Sequence, residues 1–382
     1  MSEPTNRALL PAGLRDVLPP EAEFEAWVIG RLLAAFAANG FERVKPPLAE
    51  FEDSLLSAAG ADTAEQTFRF MDPLSQHMMG VRPDMTPQVA RIAITRLVNA
   101  PRPLRLAYAG QVLRVKGSQL RPERQFTQAG VELIGAAMPE ADAEVVLLAA
   151  EALTALGVSG VSVDLNLPTL VPALCAGMTL DDGTRARLRH ALDHRDAAAV
   201  AAIGGPAAAT LGALLAAAGP ADRAVAALAA LTLPAAAAAE RDALAEVVRL
   251  VRTGAPGLTL TVDPVEHRGF EYHAGVSFAI FARGAQGELG RGGRYLAGDG
   301  EPATGATVFV DALLDILPRP RPRRRILLPH GTSRAVARDL QRQDWITVTA
   351  LVSVPDLLGE AVRMRCSHAY VDGRPAQTPD IT

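Results

Sequence analysis

Cysteine is almost missing from this chain, with only Cys175 and Cys366 among 382 residues. The two lie far apart and match no metal-ligand spacing, so a reducing cytoplasm is the expected compartment. The seven histidines are scattered without an HExxH pair, so no metal site is expected. Excess positive charge is missing too. The 38 Lys and Arg stand against 42 Asp and Glu, a formal net charge of -4, which removes any global footprint for nucleic acid or an anionic membrane. No apolar run reaches the roughly 18 uninterrupted residues of a membrane span. The opening "MSEPTNRALLPAG" has no basic start followed by an apolar core, so no secretion signal is expected. There is no GxSxG elbow, no P-loop lysine and no internal repeat of roughly 20 to 50 residues.

What is present is apolar material for a core. At 49% hydrophobic and 21% charged residues the chain can bury a large interior, and its length suits two or three domains at about 150 residues each. "EAEFEAWVIGRLLAAFAANG" spaces Phe24, Val28, Leu32 and Phe36 as one helical face and stops at Asn39-Gly40. "FERVKPPLAEFE" carries Pro46-Pro47, which predicts an extended segment at a sheet edge or subunit contact. From Phe68 to Gly135, short apolar runs predict strands, interrupted by one helix at "TPQVARIAITRLVN" with Thr86 as its cap and Pro87 in its first turn. Strands adjacent in sequence predict an α+β fold around a mostly antiparallel sheet.

"ADAEVVLLAAEALTALG" predicts a covering helix, and the Ala/Leu-rich stretch 168–253 an all-helical insertion with stops at Gly204-Gly205 and Gly219-Pro220. Strand character returns at "LTLTVDPVEHRGFEYHAGVSFAIFARG" and "GELGRGGRYL", which should rejoin the sheet formed by residues 1–167, closing that domain with 254–318. "EPATGATVFVDALLDILPRP" reads as an apolar, helix-forming segment entered through a glycine turn. "RPRPRRR" reads as a solvated linker, with a phosphate-contacting patch as the alternative. It opens a tail, 319–382, patterned strand, helix, strand, helix, strand: a small α/β module.

Several polar residues sit inside apolar strand patterns: Asp84 and Thr86, Arg114, Gln128 and Glu132, Arg268 and Tyr272. Gln128 and Glu132 are evenly spaced and share one strand face. A carboxylate there needs a partner or a ligand. A free amino acid suits this set, because its ammonium needs carboxylate and amide acceptors and its carboxylate an arginine. Internal pairing, with Glu132 and Asp84 neutralising Arg114 and Arg82, is the open alternative. Gly292-Gly293 within a strand allows either a bulge or close approach of a ligand or backbone.

The blocks "LPAGLRDVLPPEA", "VRPDMT", "RQFTQAGVELIG", "RGFEYHAGVSF" and "GGRY", in this order and spacing, resemble the catalytic domain of histidyl-tRNA synthetase from Leu10 to Leu317. The resemblance implies a class II synthetase-like antiparallel sheet flanked by helices, and dimerisation through "FERVKPP", which looks like class II motif 1. It also implies that Asp84, Thr86 and Gln128 hold the α-ammonium of histidine, that Glu132 and Tyr272 face the imidazole, and that Arg268 lies near the carboxylate. Arg114 stands where motif 2 places the arginine that binds the α-phosphate of ATP.

The nucleotide half departs from that pattern. Lys116 stands at the adenine-reading glutamate, Phe309 at the small glycine of motif 3, and Asp311-Ala312 at its Glu-Arg pair. Loss of that arginine removes a phosphate contact on which charge stabilisation depends. This combination is similar to the synthetase paralogues that act as regulatory subunits of ATP phosphoribosyltransferase. That resemblance implies no catalytic residue and no cofactor. It implies L-histidine as effector, and a homodimer assembled with a short-form catalytic subunit into a hetero-octamer of histidine biosynthesis. His273 replaces an expected second tyrosine, and Asp84 an expected glutamate. The tail is shorter than a full anticodon-binding domain, which argues against a tRNA role. The competing expectation is a divergent histidine-tRNA ligase.

Overall fold

The computed structural model describes residues 10–56, 64–117, 122–176, 181–203, 205–266, 272–319 and 323–379. They fall into two compact units, Met1–Pro318 and Arg319–Thr382.

The first unit is built on a nine-stranded sheet. In chain order its opening elements are α1 (Glu21–Ala38), β1 (Glu42–Arg43), β2 (Ala49–Phe51), α2 (Glu52–Leu56), β3 (Phe68–Met71), β4 (Met78–Val81), α3 (Thr86–Thr95), β5 (Leu104–Leu113), β6 (Gln125–Ile134) and α4 (Pro139–Ala155). There follow β7 (Ser162–Asn166), the insertion helices α5 (Leu170–Cys175), α6 (Asp182–Asp193), α7 (Ala197–Ile203) and α8 (Ala208–Ala217), β8 (Gly219–Pro220), α9 (Ala221–Ala229) and α10 (Ala235–Gly254). The unit closes with β9 (Thr259–Asp263), β10 (Ser277–Phe281), β11 (Gly290–Ala297), β12 (Glu301–Phe309) and α11 (Val310–Leu314). The sheet order is β1-β5-β6-β12-β11-β10-β7-β9-β8, and β2, β4 and β3 form a separate antiparallel sheet. Among the described residues only β1 with β5 and β7 with β9 pair in parallel in the large sheet. The expected, mostly antiparallel α+β sheet is therefore present, with the "FER" segment on its edge.

Alternation along the strands sends two different residue sets to the two faces. Ala129, Val131 and Leu133 of β6 and Ala306 and Val308 of β12 join Val28, Leu32 and Phe36 of α1 and Val145 and Leu153 of α4 in one large core. Burying each of these larger side chains stabilises the fold by roughly 1.5–3 kcal/mol. On the opposite face Met85, Val89 and Ala93, from the first turns of α3 and the residue before it, cover Leu106, Tyr108, Phe126, Tyr295 and Phe309. That second face carries the site.

Three local expectations are corrected. Thr86 does not cap α3: Met85 holds the cap position without a side-chain bond, and the carboxylate of Asp84 accepts the Thr86 amide instead. An acid two residues upstream reaches that N–H while the threonine hydroxyl turns into the site. The "EPATGATVF" run is a strand, not a helix entered through a turn, and only one helical turn follows it. Pairing on both sides, to β6 and β11, overrides its helix-compatible composition. Gly219-Pro220 does more than stop a helix. With Gly219 at a φ of +141°, open to glycine, the pair becomes a two-residue strand against β9, so the insertion is not wholly helical. Of the other expected stop, Gly205 opens a single 3-10 turn, and Gly204 lies outside the described residues.

The second unit contains β13 (Arg325–Leu328), α12 (Arg334–Arg342), β14 (Ile346–Thr349), α13 (Leu357–Arg363), β15 (His368–Val371) and β16 (Arg374–Gln377). Its sheet order is β14-β13-β15-β16, with β13 parallel to both neighbours and β16 added antiparallel through a turn at Asp372-Gly373. Ile326 and Leu328 pack under Leu340 and Trp345, whereas Leu327 packs on the other face with Ala361 and Cys366. Ser333 and Asp356 cap the two helices. The last strand went unforeseen, because "GRPAQ" is short and contains a proline tolerated only at an edge.

Candidate functional site

The site grows from β6. Gln128, Gly130 and Glu132 occupy alternate positions on one face, and both polar side chains are fully buried. Each is answered by a different element. Gln128 accepts the Met85 amide at 3.0 Å and donates to Asp84 Oδ2 at 2.8 Å, while Asp84 Oδ1 accepts the Thr86 amide at 2.9 Å. This closed set fixes the start of α3 over the sheet. Arg114 donates to the Pro83 carbonyl at 3.1 Å, lies 3.7 Å from Asp84 Oδ2 and rests 5.0 Å above the Phe126 ring.

Glu132 is bound by hydroxyls. Tyr295 donates to Oε2 at 2.9 Å and Tyr108 to Oε1 at 3.3 Å, and the Tyr108 hydroxyl also lies 2.7 Å from Thr307 Oγ1 and 3.2 Å from Thr86 Oγ1. Among the described residues no basic side chain pairs with Glu132. Burial and the nearby Asp84 charge raise its pKa to about 8, against the pull of the hydroxyls. At neutral pH the group is therefore a carboxylic acid on the verge of ionising. Of the internal pairings considered above, only Asp84 with Arg114 forms, because Arg82 spends its donors on the carbonyls of Pro46, Pro47 and Gln111.

Glycine makes room for this carboxyl group. Gly305 is the Cα partner of Glu132, and a Cβ on it would fall 1.9 Å from Glu132 Oε2. The Gly292-Gly293 pair sits in an unbulged strand, where the first glycine accommodates the Gly305 carbonyl and the second the His273 ring. Tyr272 is half exposed, lies tilted against the His273 ring at 4.0 Å and meets Tyr295 edge-on at 6.4 Å. Asp84, Thr86, Arg114, Gln128 and Glu132 thus come together, and Tyr272 joins them through Tyr295. Arg268 lies outside the described residues.

Reasoning from residues missed Tyr108, Thr307, Gly305 and Tyr295. The tyrosine of "GGRY" was visible as part of a motif, but nothing local linked it to Glu132. At the positions that the resemblance assigns to the nucleotide, the Phe309 ring is buried and packs edge-on against Phe126 at 6.1 Å. Ala312 is packed against both cores of the unit. Lys116 is exposed. A separate open cavity of about 250 Å³ lies near the other end of the sheet, but its acids are internally satisfied, Asp263 by Arg195 and Asp164 by Thr261. Among the described residues no group of three His, Cys, Asp or Glu converges as metal ligands, and no helix is long and apolar enough to cross a membrane.

A family model described as histidyl-tRNA synthetase matches residues 13–313. The chain is 63% identical over 368 residues to an ATP phosphoribosyltransferase regulatory subunit of Paramagnetospirillum magneticum, spanning 96% of this chain and 97% of that one. It is 60% identical to the protein of the same description from Rhodospirillum centenum, over 98% and 97%. A solved structure described as an ATP phosphoribosyltransferase regulatory subunit/histidyl-tRNA synthetase from Bacillus halodurans shares the fold. Its TM-score is 0.81 at 24% identity, over 95% of this chain and 97% of that one.

Proposed function

Because the chain belongs to the family of ATP phosphoribosyltransferase regulatory subunits, we propose that it senses L-histidine in its synthetase-like site and passes that state to a catalytic partner. It is the regulatory, non-catalytic subunit of that enzyme. The partner we propose is a short-form catalytic chain, joined by homodimers of this one in a cytoplasmic hetero-octamer.

The observation that carries the sensing part is the contrast between the two halves of the site. On the amino-acid side a buried Glu132 is met, among the described residues, by hydroxyls and no basic group, and Asp84 and Gln128 are pre-set by each other and by the start of α3. An imidazole offers the N–H donor and lone pair that such a carboxyl group can exchange a proton with, and an ammonium suits Asp84 and the Gln128 carbonyl. At the positions assigned to the nucleotide, Phe309 is buried against Phe126 and Ala312 carries no charge. This contrast favours an amino acid over ATP as the ligand, and so disfavours ligase chemistry.

Feedback requires histidine to bind two assembly states unequally. The test is to reconstitute phosphoribosyltransferase activity with a short-form catalytic subunit and titrate histidine against wild type and Glu132→Gln. Activation by both chains, with inhibition by histidine weakened at least tenfold in the variant, is expected. Equal inhibition of both would place the sensor elsewhere, and histidine-dependent ATP–pyrophosphate exchange by this chain alone would restore the ligase reading.

A further inference from the structure

Resting on that reading of the site, we infer that α3 carries the state of the amino-acid site to β2, and that Gln88 and Arg91 deliver it there by their grip on Glu50.

One end of the connection is the start of α3. The amides of Met85 and Thr86 are held there by Gln128 Oε1 and Asp84 Oδ1. These are the side chains to which the proposed reading gives the ligand ammonium, so an incoming amino acid must share its acceptors with the helix start. The Thr86 hydroxyl adds a second contact. It lies 3.2 Å from the Tyr108 hydroxyl and helps to hold the Glu132 pKa down against burial. An imidazole that exchanges a proton with Glu132 re-aims both hydroxyls, because each has a single proton to donate.

The other end lies across the helix. Two residues along an α-helix turn about 200° around its axis, so Gln88 leaves α3 on the side away from Thr86, and Arg91 follows it about one turn on. Gln88 is buried and donates Nε2 to the Pro47 carbonyl and to Glu50 Oε1, both at 2.9 Å. Its Oε1 is buried without a partner among the described residues, an arrangement that a mere space-filler would avoid. Arg91 takes the same buried carboxylate with two donors, Nη2 and, at 2.9 Å, Nε. Glu50 is the middle residue of β2, and Leu48 and Phe51 on either side of it in the chain are exposed. Pro47 closes the "FERVKPP" segment expected at a subunit contact. A helix moves as a body, so a shift at its start arrives at Pro47 and Glu50 and, beside them, at the surface. The alternative is a structural tie that fastens the small sheet to α3 and takes no part in the response.

The two separate through reciprocity, since assembly must change histidine affinity by the same factor as histidine changes assembly. Calorimetry with L-histidine on the full chain, alone and assembled with a short-form catalytic subunit, reads that factor for wild type, Gln88→Leu and Arg91→Lys. The lysine keeps the charge but not the paired donors, so it serves even where the leucine variant fails to fold. Wild type is expected to change its histidine affinity at least fivefold on assembly. Each variant alone is expected to bind histidine within twofold of wild type, to lose most of the change on assembly, and to show blunted inhibition of the assembled enzyme. An undiminished factor in the variants, whether or not their stability falls, marks a structural tie and would overturn the inference alone. No histidine binding by wild type, or equal affinity in its two states, would overturn the feedback reading beneath it.

Discussion

The pH dependence of histidine affinity puts the raised pKa of Glu132 to a direct test. In the free chain this carboxyl group titrates at about 8, and a free imidazole at about 6.5. The complex holds one proton between them. Between those two values the free species also hold one proton in total, on Glu132, so binding exchanges none and the affinity is flat. Below about 6.5 the imidazole adds a second proton that must leave, and affinity falls about tenfold per pH unit as pH drops. Above about 8 Glu132 has lost its proton and must regain it, so affinity falls about tenfold per unit as pH rises. Had Glu132 kept an ordinary carboxylate value, the plateau would instead span roughly 4.5 to 6.5. Calorimetry at pH 5.5, 7.2 and 9, each in two buffers of different ionisation enthalpy, reads both affinity and proton count. Release of a proton at the lowest pH, none at the middle and uptake at the highest are expected. Glu132→Gln should keep the acid limb and move the alkaline one upward, to where the ligand's own ammonium deprotonates. Tighter binding at pH 5.5 than at 7.2 would refute the reasoning.

The same group makes stability depend on pH. Between pH 4.5 and 8 the folded chain retains the Glu132 proton that the unfolded chain has released, so folding takes up a proton and stability falls as pH rises, by up to about 1.4 kcal/mol per unit. Urea unfolding across that window should show a shallower decline in Glu132→Gln than in wild type. Gly305→Ala puts a methyl where the Glu132 carboxyl group lies, so histidine binding should drop at least tenfold, with a stability loss of about 1–3 kcal/mol from overpacking. Phe309→Ala should cost about 3–5 kcal/mol in denaturant unfolding by opening a cavity beside Phe126. Calorimetry should still find no ATP binding in that variant, since Ala312 supplies no charge. ATP binding there would mean that Phe309 alone had closed the nucleotide half.

The opening helix and the mostly antiparallel sheet were legible from local periodicity, four apolar residues four apart in α1 and alternation in β6, and the edge position of "FER" from Pro46-Pro47, which cannot sit mid-sheet. That Gln128 and Glu132 share a face also follows from strand geometry alone. Family-like blocks pointed to Asp84, Thr86 and Arg114 beside them. The same local reasoning erred at "EPATGATVF", because composition that tolerates a helix becomes a central strand once β6 and β11 pair with it.

What only the tertiary structure decided is who answers whom. Glu132 meets Tyr295 and Tyr108, distant in sequence, because register sets β5 beside β6 and β11 one strand beyond it across β12, and Gly305 is required only because that carboxyl group lies over it. The raised pKa arises from the same enclosure, since desolvation depends on everything packed around a group and on nothing next to it in the chain. Periodicity travels with the sequence; register, burial and the field they create exist only once distant strands have paired.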